Sequence, residues 1–148
     1  MTEFRFSYPI EVRYGDLDPQ GHVNNARYLT YMEQARVAYI RHLGLWDGKS
    51  FLDIGIILAE VTVTFHSPIY YGQDVRVGVR VTRLGNKSIT MDYLLWDGES
   101  GERLASGSSV SVAYDYRNRC TVAIPEHWRQ TITAFENLEQ VTEPSKKV

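Results

Sequence analysis

Apolar residues follow a helical period in the first third of the chain. Between residues 25 and 43 they recur every 3.6 residues and cover nearly the whole circumference of a helix. Its polar arc is narrow and holds Arg27, Thr30, Gln34 and Arg41. Gly44 follows the last apolar turn and is expected to end the helix. The pattern predicts one long helix, buried on most sides and capped by Asn24 or Asn25.

After Gly44 the period changes to two, which is typical of half-buried strands. The alternating apolar positions are Val61, Val63 and Phe65, then Val75, Val77, Val79 and Val81, then Ile89, Met91, Tyr93 and Leu95. A strand of small residues is predicted over 104–114, and a first strand over 4–14, at an edge or broken near Pro9. Pro125 is expected to open a final helix with an apolar stripe of Trp128, Ile132 and Phe135.

The links between successive predicted strands are short, which favours antiparallel pairing. A helix that is apolar on nearly every side requires a sheet curled around it, and a partner subunit would cover what remains. The predicted fold class is therefore α+β, with an antiparallel sheet curled around one long central helix. Because no repeat or linker divides the sequence, residues 1–148 are expected to form a single domain with a flexible tail at 142–148.

Composition and charge indicate the cellular compartment and the kinds of partner to expect. The formal net charge is −2 and the single cysteine, Cys120, forbids an internal disulfide, which favours a reducing cytoplasm. No apolar run approaches the roughly 20 residues of a membrane helix, and no secretory signal is visible. We therefore expect a cytoplasmic protein without membrane insertion or a nucleic-acid partner.

A polar segment rich in turn residues joins the first strand to the long helix. Residues 14–29 read YGDLDPQGHVNNARYL, and Glu33 follows. This segment resembles the signature of the hotdog-fold acyl-CoA thioesterases of the 4-hydroxybenzoyl-CoA thioesterase group. The resemblance implies a hotdog fold, hydrolysis of a fatty or other acyl-CoA to a free acid and CoA, and Asp18 as the catalytic carboxylate. The reaction needs no metal, and His22 and His66 lack the spacing of a metal site, so we expect no cofactor besides the CoA of the substrate.

Thioester hydrolysis requires a group that activates water or attacks the carbonyl, and donors that stabilise the oxyanion. Asp18 can act as general base or as nucleophile, and the sequence leaves both roles open. The backbone N–H of Asn25, at the start of the helix, is the expected oxyanion donor. His22 is a further catalytic candidate, with a purely structural hydrogen bond as the alternative.

Glu33 is the carboxylate within the apolar body of the helix. It either pairs with Arg36 one turn away as a buried ion pair or serves as a second catalytic group. Asp16 is read as a turn residue. The candidate substrate-binding residues are Tyr14, Asn24 (or merely a helix cap) and Tyr28 (or merely a core residue), together with Arg83, Asn86, Lys87 and Ser88. The resemblance places contacts to the CoA phosphates at the turn formed by these last four, which otherwise reads as a basic hairpin turn.

The apolar excess on the helix predicts a homodimer or homotetramer. Two alternatives to an acyl-CoA thioesterase stay open, a non-catalytic acyl-thioester-binding protein on the same fold and an acyl carrier protein thioesterase. A hotdog dehydratase is a third possibility, which an enoyl product would reveal. The sequence does not determine the acyl group.

Overall fold

The computed structural model describes residues 4–138 and contains one long helix, a shorter one and six strands. The elements are β1 (Ser7–Ile10), a 3-10 turn (Tyr14–Asp16), α1 (Asn25–His42), a second 3-10 turn (Phe51–Asp53), β2 (Ile56–Phe65), β3 (Val75–Leu84), β4 (Ser88–Asp97), β5 (Arg103–Asp115), β6 (Cys120–Thr121) and α2 (Glu126–Glu136). The α+β class and the long helix are confirmed. The predicted tail at 142–148 lies outside the described residues.

The sheet has the order β1-β3-β4-β5-β2, and β6 pairs with β5. The pairs β1–β3 and β5–β6 are antiparallel. The neighbours β3, β4 and β5 are joined by links too short for a parallel crossover, so they are antiparallel too. Between β2 and β5, Thr62 faces Ser108 while His66 faces Ser106, so residue numbers rise on one strand as they fall on the other. The predicted antiparallel sheet is confirmed.

One compact unit comprises residues 4–39, Thr62–Arg80 and Asp92–Ser108. In it α1 lies close against β5 at Gly107. A Cβ atom at this glycine would lie 2.9 Å from Met32 Cε and would overlap the Thr62 carbonyl. The absence of a side chain at 107 therefore permits the close approach of helix and strand. The core here includes Met32, Ala35, Val77, Val79, Tyr93 and Leu95, all nearly inaccessible to solvent.

A second compact unit comprises Ile40–Val61, Val81–Met91 and residues 109–138. The polar contacts of its helix α2 include one from the Val81 N–H to Glu136 Oε2 at 2.9 Å and one from the Arg129 guanidinium to the Gly85 carbonyl at 2.8 Å. Trp128 and Ile132 are buried as predicted, and Phe135 is half-buried. The prediction of a single domain over 1–148 stays a prediction.

The predicted strand over residues 4–14 is wrong in its length. β1 spans only Ser7–Ile10, because Ile10 pairs with Val75, the first residue of β3, and no strand of the described chain continues the pairing beyond it. The Asp16 carboxylate then accepts the Arg13 N–H and turns the chain into the 3-10 segment. The edge position of β1, which tolerates Pro9, is confirmed.

Both ends of α1 match the prediction. Asn24 caps the helix, since its Oδ1 accepts the Ala26 N–H at 3.0 Å. At the other end Gly44 adopts φ +73°, and the N–H groups of Gly44 and Leu45 donate to the carbonyls of Arg41 and Ile40 in a Schellman motif. For α2 the boundary differs by one residue, because Pro125 precedes the first helical residue.

Candidate active site

Asp18 lies in a tight turn that is closed by its own hydrogen bonds. Its Oδ1 accepts the Gln20 N–H at 2.9 Å, its carbonyl accepts the Gly21 N–H, and its N–H donates to the His22 carbonyl. Gly21 has φ +85°, a conformation that glycine adopts without strain. Within residues 4–138 the second carboxylate oxygen, Oδ2, has no hydrogen-bonding or ion-pair partner. The half-buried carboxylate thus keeps one oxygen free for a small molecule.

The loop runs directly into the N-terminus of α1. The Ala26 N–H is bound by the Asn24 side chain and the Arg27 N–H by the Asn24 carbonyl. The N–H of Asn25, the first helical residue, donates to no acceptor in the described part of the chain. A free N–H at the positive end of an 18-residue helix is suited to bind an anion or a developing oxyanion.

His22 is held by the loop and by a segment between β2 and β3. Its Nδ1 lies 3.4 Å from the Val23 carbonyl oxygen, and its ring faces the Tyr70 ring edge-on at 6.4 Å. The neighbouring Val23 N–H donates to the Ile69 carbonyl at 2.8 Å. These contacts fix the position of the imidazole within the Asp18 loop.

The two candidate tyrosines differ sharply in burial. Tyr14 is 82% exposed and contacts the ring of Tyr71 edge-on at 6.4 Å. Tyr28 is only 2% exposed and packs edge-on against Phe65, with ring centroids 4.8 Å apart. Burial raises the pKa of Tyr28, because the phenolate would lose its hydration. Tyr28 is therefore buried in the core, while Tyr14 presents its ring to solvent beside the loop. The substrate-binding roles of both residues stay predictions.

Glu33 does not form the buried ion pair that one reading of the sequence expected. Its side chain is 67% exposed, and it is Arg36 that is buried, with a side-chain exposure of 7%. The two charged groups lie 3.9 Å apart. The burial differs from the expectation because the apolar stripe of α1 turns Arg36 toward the sheet, where it donates to the Tyr93 hydroxyl. The catalytic role of Glu33 stays a prediction.

The Asp16 side chain is buried and hydrogen-bonded, whereas an ordinary turn residue is usually exposed. Its Oδ2 accepts the Tyr31 hydroxyl at 2.7 Å and the Arg13 N–H at 3.0 Å. Its Oδ1 lies 3.6 Å from Arg27 Nε. Asp16 therefore does not offer a free carboxylate oxygen in the way that Asp18 does.

The four candidate phosphate contacts lie in the second unit, whereas Asp18, His22, Asn24, Asn25, Tyr14, Tyr28 and Glu33 lie in the first. Lys87 Nζ donates to the neutral Thr121 hydroxyl at 3.1 Å. In the described residues neither Arg83 nor Lys87 forms an ion pair with a carboxylate. The Asn86 carbonyl accepts the Ile124 N–H, and the Ser88 carbonyl accepts the Gly85 N–H, so the backbone of this turn is fixed. The turn thus presents two cations that have no carboxylate partner within residues 4–138.

Residues 69–71 were missed by the sequence interpretation. Ile69 binds the loop through its carbonyl, and Tyr70 and Tyr71 contact the rings of His22 and Tyr14. In the sequence these residues form a short apolar and aromatic run between Pro68 and Gly72. The run lies in a link between two predicted strands, where no helix or strand was predicted. Nothing in that run indicated which loop it would contact.

None of the helices in the described part of the chain is long and apolar enough to cross a membrane. Residues 4–138 contain no group of three or more His, Cys, Asp or Glu side chains placed to hold a metal ion. The prediction that the reaction uses no metal or cofactor stays a prediction.

The site, a carboxylate turn leading into a long helix beside an antiparallel sheet, agrees with a family match. The model of the thioesterase-like superfamily matches residues 12–132, and the chain belongs to this superfamily. Solved structures of the family confirm the predicted hotdog fold.

Three similar proteins illustrate the relationship. A thioesterase from Thermus thermophilus, solved in complex with coenzyme A and zinc, is 36% identical with a TM-score of 0.80, over 94% of this chain and 100% of that chain. The 1,4-dihydroxy-2-naphthoyl-CoA hydrolase of Thermosynechococcus vestitus is 27% identical over 80% of this chain and 82% of that protein. A chloroplastic acyl-acyl carrier protein thioesterase of Arabidopsis thaliana is 26% identical over 91% of this chain and 70% of that protein.

Proposed function

We propose that this protein is an acyl-CoA thioesterase that hydrolyses the thioester of a fatty or other acyl-CoA to a free acid and CoA. One observation carries the proposal. The loop that leaves Asp18 Oδ2 without a protein partner continues into a helix whose first N–H, that of Asn25, has no acceptor among residues 4–138. Family membership supplies the reaction class. A cytoplasmic location agrees with the exposed free thiol of Cys120, which stays reduced there.

In the proposed reaction, water attacks the thioester carbonyl while Asp18 Oδ2 accepts its proton. The carbonyl oxygen becomes an oxyanion and accepts a hydrogen bond from the Asn25 N–H, where the helix dipole favours negative charge. The tetrahedral intermediate then collapses, the C–S bond breaks, and the proton passes to the CoA thiolate. Asp18 as a nucleophile is the alternative route; it passes through a mixed anhydride that water hydrolyses. His22 is proposed to orient the substrate carbonyl.

The test is thiol release from acyl-CoA by Asp18→Asn. The amide keeps Oδ1 as the acceptor for the Gln20 N–H, so the turn is preserved while the base is lost. We expect kcat to fall by roughly 100- to 10,000-fold. The matched control is Asp47→Asn, because Asp47 Oδ1 accepts the N–H two residues on, at Lys49, with the same 2.9 Å geometry. Near-normal turnover by Asp18→Asn would remove this residue from the mechanism.

Arg83, Asn86, Lys87 and Ser88 are proposed to bind the phosphates of CoA. The support is the pair of cations without a carboxylate partner in the described residues, on a turn with a fixed backbone. Lys87→Ala should raise KM for acyl-CoA several-fold and leave KM for an acyl-pantetheine thioester, which lacks the nucleotide, unchanged. An equal change for both substrates would contradict a phosphate contact.

A homodimer is proposed through β2. This strand ends the sheet order, and its Ile57, Leu58 and Phe65 side chains are 39 to 48% exposed. An apolar edge strand of this kind is a pairing surface. Leu29 of α1 is 43% exposed and is a further apolar side chain that a partner subunit would cover. Sedimentation should give a dimer or tetramer at micromolar concentration, and Leu58→Asp should weaken it, while Phe51→Asp, an exposed apolar position off the strand, should not. A monomeric wild-type protein would refute this part.

The substrate's acyl group could be carried by CoA or by an acyl carrier protein, and the kinetics can distinguish the two. Because one relative acts on acyl carrier protein thioesters, the substrate panel should pair each acyl-CoA with the matching acyl carrier protein thioester. We expect the acyl-CoA series to be hydrolysed with the higher kcat/KM. Preference for the carrier protein series would establish the alternative, and tight acyl-CoA binding without thiol release over hours would establish a non-catalytic binding protein.

A further inference from the structure

The buried side chain of Asp16 joins three parts of the chain around the Asp18 loop. Its Oδ2 accepts the Arg13 N–H, before the loop, and the Tyr31 hydroxyl, on α1. Its backbone carbonyl accepts the Asn24 N–H, at the end of the loop, at 2.9 Å. One residue thus fixes the entry of the loop, its exit and its distance from the helix.

The bonds of Asp18 itself cannot do this. Its three hydrogen bonds, to Gln20, Gly21 and His22, all lie inside the loop and set the shape of the turn only. Beyond the ends of the loop, its backbone is bonded at Leu17 to the Tyr14 carbonyl, at Val23 to the Ile69 carbonyl and at Asn24 to the Arg27 N–H. The Asp16 side chain adds the contact that joins the entry of the loop to the body of α1, so the position of the Asp18 carboxylate relative to the helix also depends on Asp16 and on what holds Asp16.

Tyr31 is suited to hold it. The side chain is 4% exposed and lies within the first two turns of α1, so its hydroxyl has little freedom to move. Burial raises the pKa of Tyr31, and the hydrogen bond to Asp16 and the charge of that carboxylate raise it further. The hydroxyl therefore stays protonated and remains a donor at neutral and mildly alkaline pH.

We infer that Asp16 and Tyr31 are a positioning pair, which holds the loop of residues 17–24 against the N-terminus of α1 and so sets Asp18 relative to the Asn25 N–H. The inference rests on the proposed function of Asp18 and adds two residues that do not touch the reacting atoms. Misplacement of a catalytic group by about 1 Å can lower a rate by roughly 100-fold. Loss of the pair should therefore lower kcat more than it changes KM.

The main test is Tyr31→Phe, which removes the donor and leaves the ring. We expect kcat to fall by roughly 10- to 100-fold while KM changes less than about twofold. The matched control is Tyr116→Phe, because the Tyr116 hydroxyl donates to the Ile56 carbonyl at 2.6 Å, far from the loop in sequence and in the second unit. Each variant loses one hydroxyl hydrogen bond, which is buried at Tyr31 and part-buried at Tyr116. If kcat of Tyr31→Phe equals that of wild type or of Tyr116→Phe, the inference is overturned.

Two further measurements separate this inference from the proposed function. Amide hydrogen exchange of residues 17–24 should be faster in Tyr31→Phe than in Tyr116→Phe, whatever the reaction; equal exchange would overturn the positioning role.

In the Asp18→Asn background, Tyr31→Phe should lower the residual kcat no further, because the pair acts through Asp18. Asp16→Asn, which keeps one side-chain acceptor oxygen, should retain more activity than Asp16→Ala, and equal losses would count against the pair. Full turnover by Asp18→Asn would remove Asp18 from the mechanism, and the hydrogen-exchange comparison would then decide by itself whether the pair holds the loop.

Discussion

The guanidinium of Arg36 donates a hydrogen bond to the Tyr93 hydroxyl oxygen at 3.0 Å, in the interior of the first unit. Among the described residues the nearest carboxylate, that of Glu33, lies 3.9 Å away and is largely exposed. A buried cation is stable only when polar partners replace its lost hydration. The Tyr93 hydroxyl is therefore a more important partner for this charge than the salt bridge suggested by the sequence.

Tyr93→Phe should lower the free energy of unfolding by roughly 1.5 to 3 kcal/mol, since a charged donor loses a buried acceptor. Glu33→Gln should lower it by less than about 1 kcal/mol, because an exposed ion pair is screened by solvent. Urea denaturation of the two variants beside wild type measures both values. Equal losses would show that the carboxylate stabilises Arg36 as much as the phenol does and would contradict this ranking.

Gly107→Ala should destabilise the first unit by roughly 1 to 3 kcal/mol. The new methyl group would overlap the Thr62 carbonyl, which belongs to a strand and cannot rotate away, and would press on Met32. Gly15→Ala is the control, because a Cβ there meets nothing within 4 Å. Chemical denaturation should show a loss for the first variant and little or no loss for the second. A neutral Gly107→Ala would mean that β2 and β5 separate easily.

Asp115→Asn should destabilise the protein at neutral pH, by an amount that shrinks in acid. Hydrogen bonds from the backbone and side chain of Asn118 hold the pKa of Asp115 below its ordinary value. Such a carboxylate contributes stability above its unfolded pKa of about 3.9, and that contribution is lost as the pH falls through the lower folded pKa. Urea midpoints of variant and wild type should therefore converge as the pH is lowered from 7 to 3. A constant difference would contradict this account.

Asn24→Ala should lower the free energy of unfolding by about 1 kcal/mol, the usual effect of losing an N-cap. Asn24→Asp keeps an oxygen acceptor for the Ala26 N–H and should retain the stability. Its negative charge, however, would compete with an oxyanion at the Asn25 N–H, so thiol release should fall although the fold is intact. Thermal unfolding and steady-state kinetics on both variants check this. Full activity of Asn24→Asp would argue against an oxyanion site at this helix end.

Much of the architecture was predictable because it rests on local patterns. The alternation at Val75 to Val81 and the 3.6-residue period of α1 require only that apolar side chains leave water. The helix begins at the side-chain cap of Asn24 and ends at the left-handed backbone of Gly44, and both signals are local. The position of Asp18 in the Asp-Pro-Gln-Gly turn is likewise local. These features were read correctly from the chain alone.

Other features depended on which segments meet. The first strand ends at Ile10 because β3 begins at Val75, 65 residues later, and no local pattern carries that register. Whether Glu33 or Arg36 was buried depended on a hydroxyl at Tyr93, and the role of Asp16 depended on Tyr31. Polar side chains have no periodic signature of burial, since each is stabilised by a specific distant partner. The sequence by itself determined the elements and the Asp18 turn; only the tertiary structure decided which charged groups are buried and what holds that turn to the helix.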